Sequence, residues 1–148
     1  MIIVDTGFWV ALLNDKDRYH QGAQETLAKY YNYEPLITTW CVLTETSHLL
    51  LQRSANTYQG VQKQLGLMSL FQKYPQRFQL FDLQGTHLNR INFLMEKYQN
   101  LPMDLADASL VILAEELGEG RILSVDDRDF NAYRWKNTKP FQNLFDRL

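Results

Sequence analysis

Short apolar runs rich in β-branched residues recur along this chain, and each is separated from the next by a long stretch with helical spacing. Residues 1–4 (MIIV), 36–39 (LITT), 78–83 (FQLFDL) and 121–125 (RILSV) read as strands, with 141–145 a shorter fifth. Between them, residues 8–13, 17–31, 40–52, 55–74, 86–99 and 104–117 read as helices. Asn14-Asp15, Glu34-Pro35, Pro75, Asn100-Leu101-Pro102 and Gly118 punctuate these elements. A hairpin needs only a tight turn, whereas parallel strands need a crossover of roughly a dozen residues or more. The alternation therefore predicts an α/β fold, a three-layer α/β/α sandwich around a mostly parallel central sheet of four to five strands. No repeat, low-complexity segment or linker interrupts the 148 residues. They are expected to form a single domain over 1–148 that buries about two-thirds of its unfolded surface.

The second signal is where the acids fall. The first strand stops at Asp5-Thr6-Gly7 and the fourth at Asp126-Asp127-Arg128-Asp129. Right-handed crossovers put the carboxyl ends of parallel strands on one edge of the sheet, which is where ligands of such sheets bind. In LPMDLADASLVIL, Asp104 and Asp107 stand three apart after Pro102, on one face of the coming helix. Taken alone, the stretch favours a helix cap and a first-turn acid complementing the helix dipole over a metal site. The same alternative applies to Asp5. Glu45 is nearly the only charge in WCVLTETSHLLLQ, and a lone carboxylate in so apolar a helix is uncommon unless paired, exposed or liganded. Carboxylates gathered within a few Å repel one another unless protonated or bridged by cations. A site of hard oxygen donors fits Mg²⁺ or Mn²⁺. The single Cys41 and the scattered His20, His48 and His87 offer no zinc site.

Charge narrows the function further. A net charge of −2 and a pI near 5.9 argue against a module that holds nucleic acid by neutralising phosphates. They leave room for a nuclease whose acidic site acquires positive charge from bound ions. Tyr133-Arg134-Trp135-Lys136 interleaves bases with aromatics, so Arg134 and Lys136 are candidate RNA contacts, with a solvated basic turn as the alternative. Arg53 and Arg128 are weaker candidates. Aromatic residues at 13% serve a dense core, a dimer surface, or both. No apolar run reaches the roughly 20 residues of a membrane span, and the N-terminus lacks a signal peptide's features. A cytoplasmic setting is expected.

With these motifs placed, the chain resembles the PIN domain family, most closely the VapC-type ribonuclease toxins of bacterial toxin–antitoxin pairs. The matching segments are IIVDTGFWVALLN, TTWCVLTETSHLL around Glu45, PMDLADASLVILAEELG and ILSVDDRDF, in the family's order and spacing. The resemblance implies a catalytic site of Asp5, Glu45, Asp107 and Asp126. Asp5, Asp107 and Asp126 would ligate Mg²⁺ or Mn²⁺, with Asp104 as ligand, outer-sphere acid or cap. Thr6 and Ser124 would assist with hydroxyls; the family usually has Thr where Ser124 stands. Asp129-Phe130 matches the family's Asp-Phe pair and is read as structural. The implied reaction is hydrolysis of RNA, with Glu45 orienting or deprotonating the attacking water. The implied partners are a small antitoxin covering the acidic groove and a second copy of the chain in a homodimer. Two alternatives share the fold: a PIN-domain RNA-processing nuclease without a toxin role, and a non-catalytic binding module. A receiver-type regulatory domain fits poorly, because Asp5 is followed by Thr6-Gly7 and not by a second acid.

Overall fold

The computed structural model describes residues 1–147. In chain order its elements are β1 (Ile2–Val4), α1 (Thr6–Leu13), α2 (His20–Tyr30), β2 (Leu36–Thr39), α3 (Trp40–Gln52), α4 (Thr57–Lys73) and β3 (Phe78–Phe81). A 3₁₀ turn at Gly85–His87 leads into α5 (Leu88–Lys97), followed by α6 (Leu105–Leu117), β4 (Arg121–Leu123) and α7 (Asp127–Ala132). Three two-residue strands end the chain: β5 (Arg134–Trp135), β6 (Lys139–Pro140) and β7 (Gln142–Asn143).

The sheet runs β3-β2-β1-β4-β7, and every neighbouring pair in it is parallel. β1 is its centre, with Ile3 opposite Ile37 on one side and Ile122 on the other. Successive strand residues point to opposite faces. Ile2, Ile3 and Val4 are all fully buried, so both faces are covered and the chain has the three-layer architecture. Aromatic residues fill much of the interior: Trp9 packs on Phe71 and Phe78 at ring distances of 5.4 and 6.1 Å, and Phe8 on Phe145 at 5.1 Å. A smaller set of apolar side chains, among them Trp40, Tyr58 and Leu65, stays exposed on α3 and α4.

The sequence reading departs from the structure mainly after β4. β3 stops at Phe81, short of the expected Leu83, and the expected helix over 86–99 splits into the 3₁₀ turn and α5. Residues 127–132 form a helix that apolar periodicity did not announce. Residues 134–140 then fold back as an antiparallel hairpin outside the main sheet. Its tip places Lys136 and Asn137 at φ 49° and 65°, a left-handed conformation uncommon for residues other than glycine. Glu115 stabilises that tip by accepting the Lys136 N–H at 2.6 Å, and Arg90 by bonding Asn137 Oδ1 at 2.9 Å.

Gly120 lets this hairpin close on β4. A Cβ there would collide with Trp135 Nε1 and come within 3.0 Å of the Pro140 carbonyl, the same carbonyl that accepts the Trp135 N–H. Gly120→Ala is expected to cost about 2 kcal/mol through overpacking, seen as a thermal midpoint lowered by about 5 °C. Gly85→Ala, where nothing lies within 4 Å of the added methyl, leaves the midpoint in place.

Candidate active site

Because every strand of the main sheet points the same way, their carboxyl ends share one edge, and the acids gather there. Asp5 directly follows β1 and is only 6% exposed. Its Oδ1 accepts the Thr6 N–H at 2.7 Å, capping α1, and its Oδ2 accepts the Ser124 hydroxyl at 3.0 Å. Burial pushes the Asp5 carboxyl up to about 7 against the pull of those two hydrogen bonds, and the charges of Glu45 and Asp126 raise it further. Asp107, in the first turn of α6, is pushed up to about 8, chiefly by burial and then by Asp104, Asp5 and Asp129. Its Oδ2 accepts the Tyr133 hydroxyl at 3.0 Å. Asp126 caps α7 by accepting the Asp129 N–H at 3.1 Å; burial, and then the Asp129 carboxyl, raise it above the ordinary aspartate range.

Ser124 ties two of these acids together. Fully buried, it donates to Asp5 and accepts the Asp126 N–H at 2.9 Å. Asp104 caps α6, its Oδ1 taking the Asp107 N–H at 2.8 Å. Glu45 stands half-buried on the second turn of α3, with no hydrogen-bond partner among the described residues, and its charge reaches Asp5. Glu45 and Asp104 both line an open groove of about 470 Å³, together with Cys41, His48 and Leu105. The helices that carry them are joined inside the protein by Thr39 Oγ1 and Ser109 Oγ, 2.7 Å apart. The Thr6 hydroxyl is buried beside Asp5 with no partner among the described residues.

The acids expected from the sequence therefore share one neighbourhood, whereas the expected RNA contacts do not join it. Arg134 turns its guanidinium onto the carbonyls of Asn131 and Tyr133, at 2.8 and 2.9 Å. Lys136 is fastened to Glu115, two turns beyond Asp107 and about 12 Å farther along α6. The aromatics interleaved with them are core residues: Tyr133 is fully buried, and Trp135 holds the Pro140 carbonyl at 3.0 Å. Neither ring is free to stack on a base. Tyr133 and the buried Asp129 instead belong to the acidic neighbourhood, and the sequence carried a signal for both. Positions 126, 129 and 133 fall at the i, i+3, i+7 spacing that keeps residues on one helix face.

Among the described residues, no three His, Cys, Asp or Glu side chains stand close enough to hold a metal ion between them. Mg²⁺ does not require such a cage, since it commonly takes one or two carboxylates and keeps several waters. Asp5 offers a buried carboxylate and Asp107 a half-buried one, and the groups that act most strongly on them are acids, hydroxyls and a backbone N–H. This all-oxygen set, with an unpartnered hydroxyl at its edge, fits a hard divalent cation in kind.

Fold and site together define a class, the α/β proteins with a cluster of acids at the carboxyl edge of a parallel sheet. The PIN domain model matches residues 2–136, and the chain belongs to the PIN domain family. Among solved structures, VapC20 of Mycobacterium tuberculosis, a toxin that cleaves the sarcin–ricin loop, is similar with a TM-score of 0.72 at 20% identity. The match covers 86% of this chain and 92% of that one. VapBC2 of Rickettsia felis, solved bound to a DNA fragment from its promoter, is similar with a TM-score of 0.66 at 15% identity, covering 97% of this chain and 98% of that one. At these identities the likeness is one of fold. A comparison with curated proteins finds no match.

The raised carboxyls make stability depend on pH in a definite direction. Asp5 and Asp107 bind their protons more tightly in the folded chain than in the unfolded one. The stability they contribute is therefore full below about pH 4 and is lost as pH rises through 7 to 8. In chelator, the thermal midpoint is expected to fall between pH 5 and 8.5. Asp107→Asn should flatten that fall and raise the midpoint at pH 8.5 by about 5 °C. Melts of both proteins across this range check it; a wild-type midpoint that climbs with pH contradicts the burial of these acids.

Proposed function

We propose that this chain is a divalent-cation-dependent endoribonuclease that hydrolyses RNA phosphodiester bonds and acts as the toxin of a type II toxin–antitoxin pair. One observation carries the reading. In a PIN domain, Asp5 lies buried and Asp107 half-buried at the sheet's carboxyl edge, raised to about 7 and 8, with further acids around them. A protein that buries acids together without basic partners leaves a place for a cation from outside.

In this reading Asp5 and Asp107 hold Mg²⁺ or Mn²⁺ directly, and Asp126 and the Asp104 oxygen that does not cap α6 bind its coordinated waters. The ion, when bound, lowers the pKa of a coordinated water and offsets charge building on the phosphate. Glu45, half-buried and without a hydrogen-bond partner, orients the attacking water and receives its proton. Ser124 fixes Asp5 relative to Asp126, and Tyr133 fixes the Asp107 carboxylate; each bonded oxygen keeps a second lone pair for a ligand. With a net charge of −2, the chain has no basic surplus to hold RNA, so the scissile phosphate depends on the ion for its attraction.

The toxin role draws support from the similar structures, one of a toxin that cleaves the sarcin–ricin loop and one of VapBC2 on a fragment of its promoter. The partners of this chain are then a small antitoxin seated over the acidic groove and a second copy of itself. The exposed apolar residues of α3 and α4 provide surface for such contacts. Among the described residues no helix is long and apolar enough to cross a membrane; the cytoplasmic setting proposed for the chain follows from its proposed RNA substrate.

Cleavage of a mixed RNA pool with Mg²⁺ or Mn²⁺, and with chelator, tests the activity. Asp107→Asn should abolish cleavage while the protein stays folded, and Glu45→Gln should slow it by about 10²-fold or more. Cleavage that survives Asp107→Asn overturns the site, and a folded wild type inert with both ions overturns the nuclease reading. Expression should arrest growth, and a small protein encoded beside this one should lift the arrest; cleavage without arrest favours RNA processing.

A further inference from the structure

The residues beyond the span matched by the PIN domain model, 2–136, run directly into the acidic site. β7 extends the sheet beside β4, with the Gln142 N–H on the Gly120 carbonyl and the Leu144 N–H on the Ile122 carbonyl, both at 2.8 Å. A two-residue edge strand would ordinarily do no more than cover that edge. Asn143 does more. Its Oδ1 accepts the Ser124 N–H at 3.2 Å and the Phe145 N–H at 3.1 Å. Its Nδ2 donates to the Ser124 carbonyl and to Asp127 Oδ1, both at 2.9 Å. One side-chain amide thus continues the ladder where β4 has ended, gripping Ser124 by both of its backbone polar groups.

Arg147 reinforces the grip. Its guanidinium donates to the same Ser124 carbonyl at 2.6 Å and pairs with the Asp127 carboxylate. Phe145 anchors this tail, its ring edge-on to Phe8 at 5.1 Å and to Tyr19 at 6.2 Å. Asp126 and Asp127 are consecutive and do not share a helix face. The tail binds Asp127 and so separates it from the acids, leaving Asp126 on their side. What is held here is the one hydroxyl that bonds both Asp5 and the Asp126 N–H.

We propose that Asn143, supported by Arg147, is a positioning residue of the acidic site: it locks the turn at 124–127 so that the Ser124 hydroxyl keeps Asp5 and Asp126 in fixed relation. The proposal rests on reading those acids as a metal-binding active site. Outer groups that orient metal-binding residues typically change metal affinity by about 10- to 100-fold when removed.

The test compares Asn143→Ala, Ser124→Ala and the double variant in the full chain, by calorimetric Mn²⁺ binding and by hydrogen exchange at the Asp126 amide. Asn143→Ala should weaken Mn²⁺ binding about tenfold or more and speed exchange at Asp126 by a similar factor. Added to Ser124→Ala, it should cost no further affinity, because the amide acts through that hydroxyl. Arg147→Gln should show the same changes in smaller measure, and it carries the test if Asn143→Ala does not fold. A lowered melting temperature with Asp126 exchange and Mn²⁺ affinity unchanged reduces Asn143 to support of an edge strand, as do losses that add in full. Should the wild type neither bind Mn²⁺ nor cleave RNA, the nuclease reading fails separately, and exchange at Asp126 alone decides the clamp.

Discussion

The hydrogen bond from the Ser124 hydroxyl to Asp5 ties the ends of the two central strands, and the site is arranged around it. β1 lies between β2 and β4 with both faces covered, so a polar group at its end has little route to solvent. Asp5 is therefore satisfied from within, by a backbone N–H on one oxygen and by a hydroxyl from the neighbouring strand on the other. The same hydroxyl accepts the Asp126 N–H, so the carboxyl ends of β1 and β4 and the start of α7 are joined through a single oxygen.

A gathering of acids this dense needs compensation, and backbone dipoles supply part of it. α1, α3, α6 and α7 begin beside the cluster, and Asp5, Asp104 and Asp126 cap three of them. A helix start is worth roughly half a positive charge, felt within its first turn. Four such ends amount to about two charges, set against Asp5, Glu45, Asp104, Asp107, Asp126 and Asp129. The deficit is consistent with the elevated Asp5 and Asp107. Capping and ligation are thus not rival readings of these residues, because the lone pairs left over from the caps are available to a cation.

Much of this was legible in the sequence, for a plain physical reason. Buried parallel strands must be continuously apolar, and crossover helices must carry a stripe at helical spacing, so MIIV, LITT and RILSV stand out from their surroundings. The acids stand out because each interrupts an apolar run. The segment from Asp127 to Pro140 was less readable. A six-residue helix holds too little apolar repeat to detect, and two-residue strands show no alternation at all. Tyr133 and Trp135 sit among bases and polar residues that suggest a surface, yet long-range packing buries both. Sequence spacing alone also gave no hint that Asn143 reaches back nineteen positions to Ser124, since that contact exists only once β7 has docked on β4.

A bound divalent ion would change the balance of this arrangement in two ways at once. A ligand that binds only the folded chain stabilises it in proportion to the logarithm of its concentration over its dissociation constant. Here it would do so by neutralising the groups that weaken the fold as pH rises, so the gain is largest near neutrality, where Asp5 and Asp107 are giving up their protons. The ion would also turn a cluster of acids into the place where a phosphate is attracted. Under the proposed function, tolerance of buried charge and recognition of RNA are therefore one property of the carboxyl edge. A substitution that eased the strain on the free protein by removing an acid would remove the attraction for substrate with it.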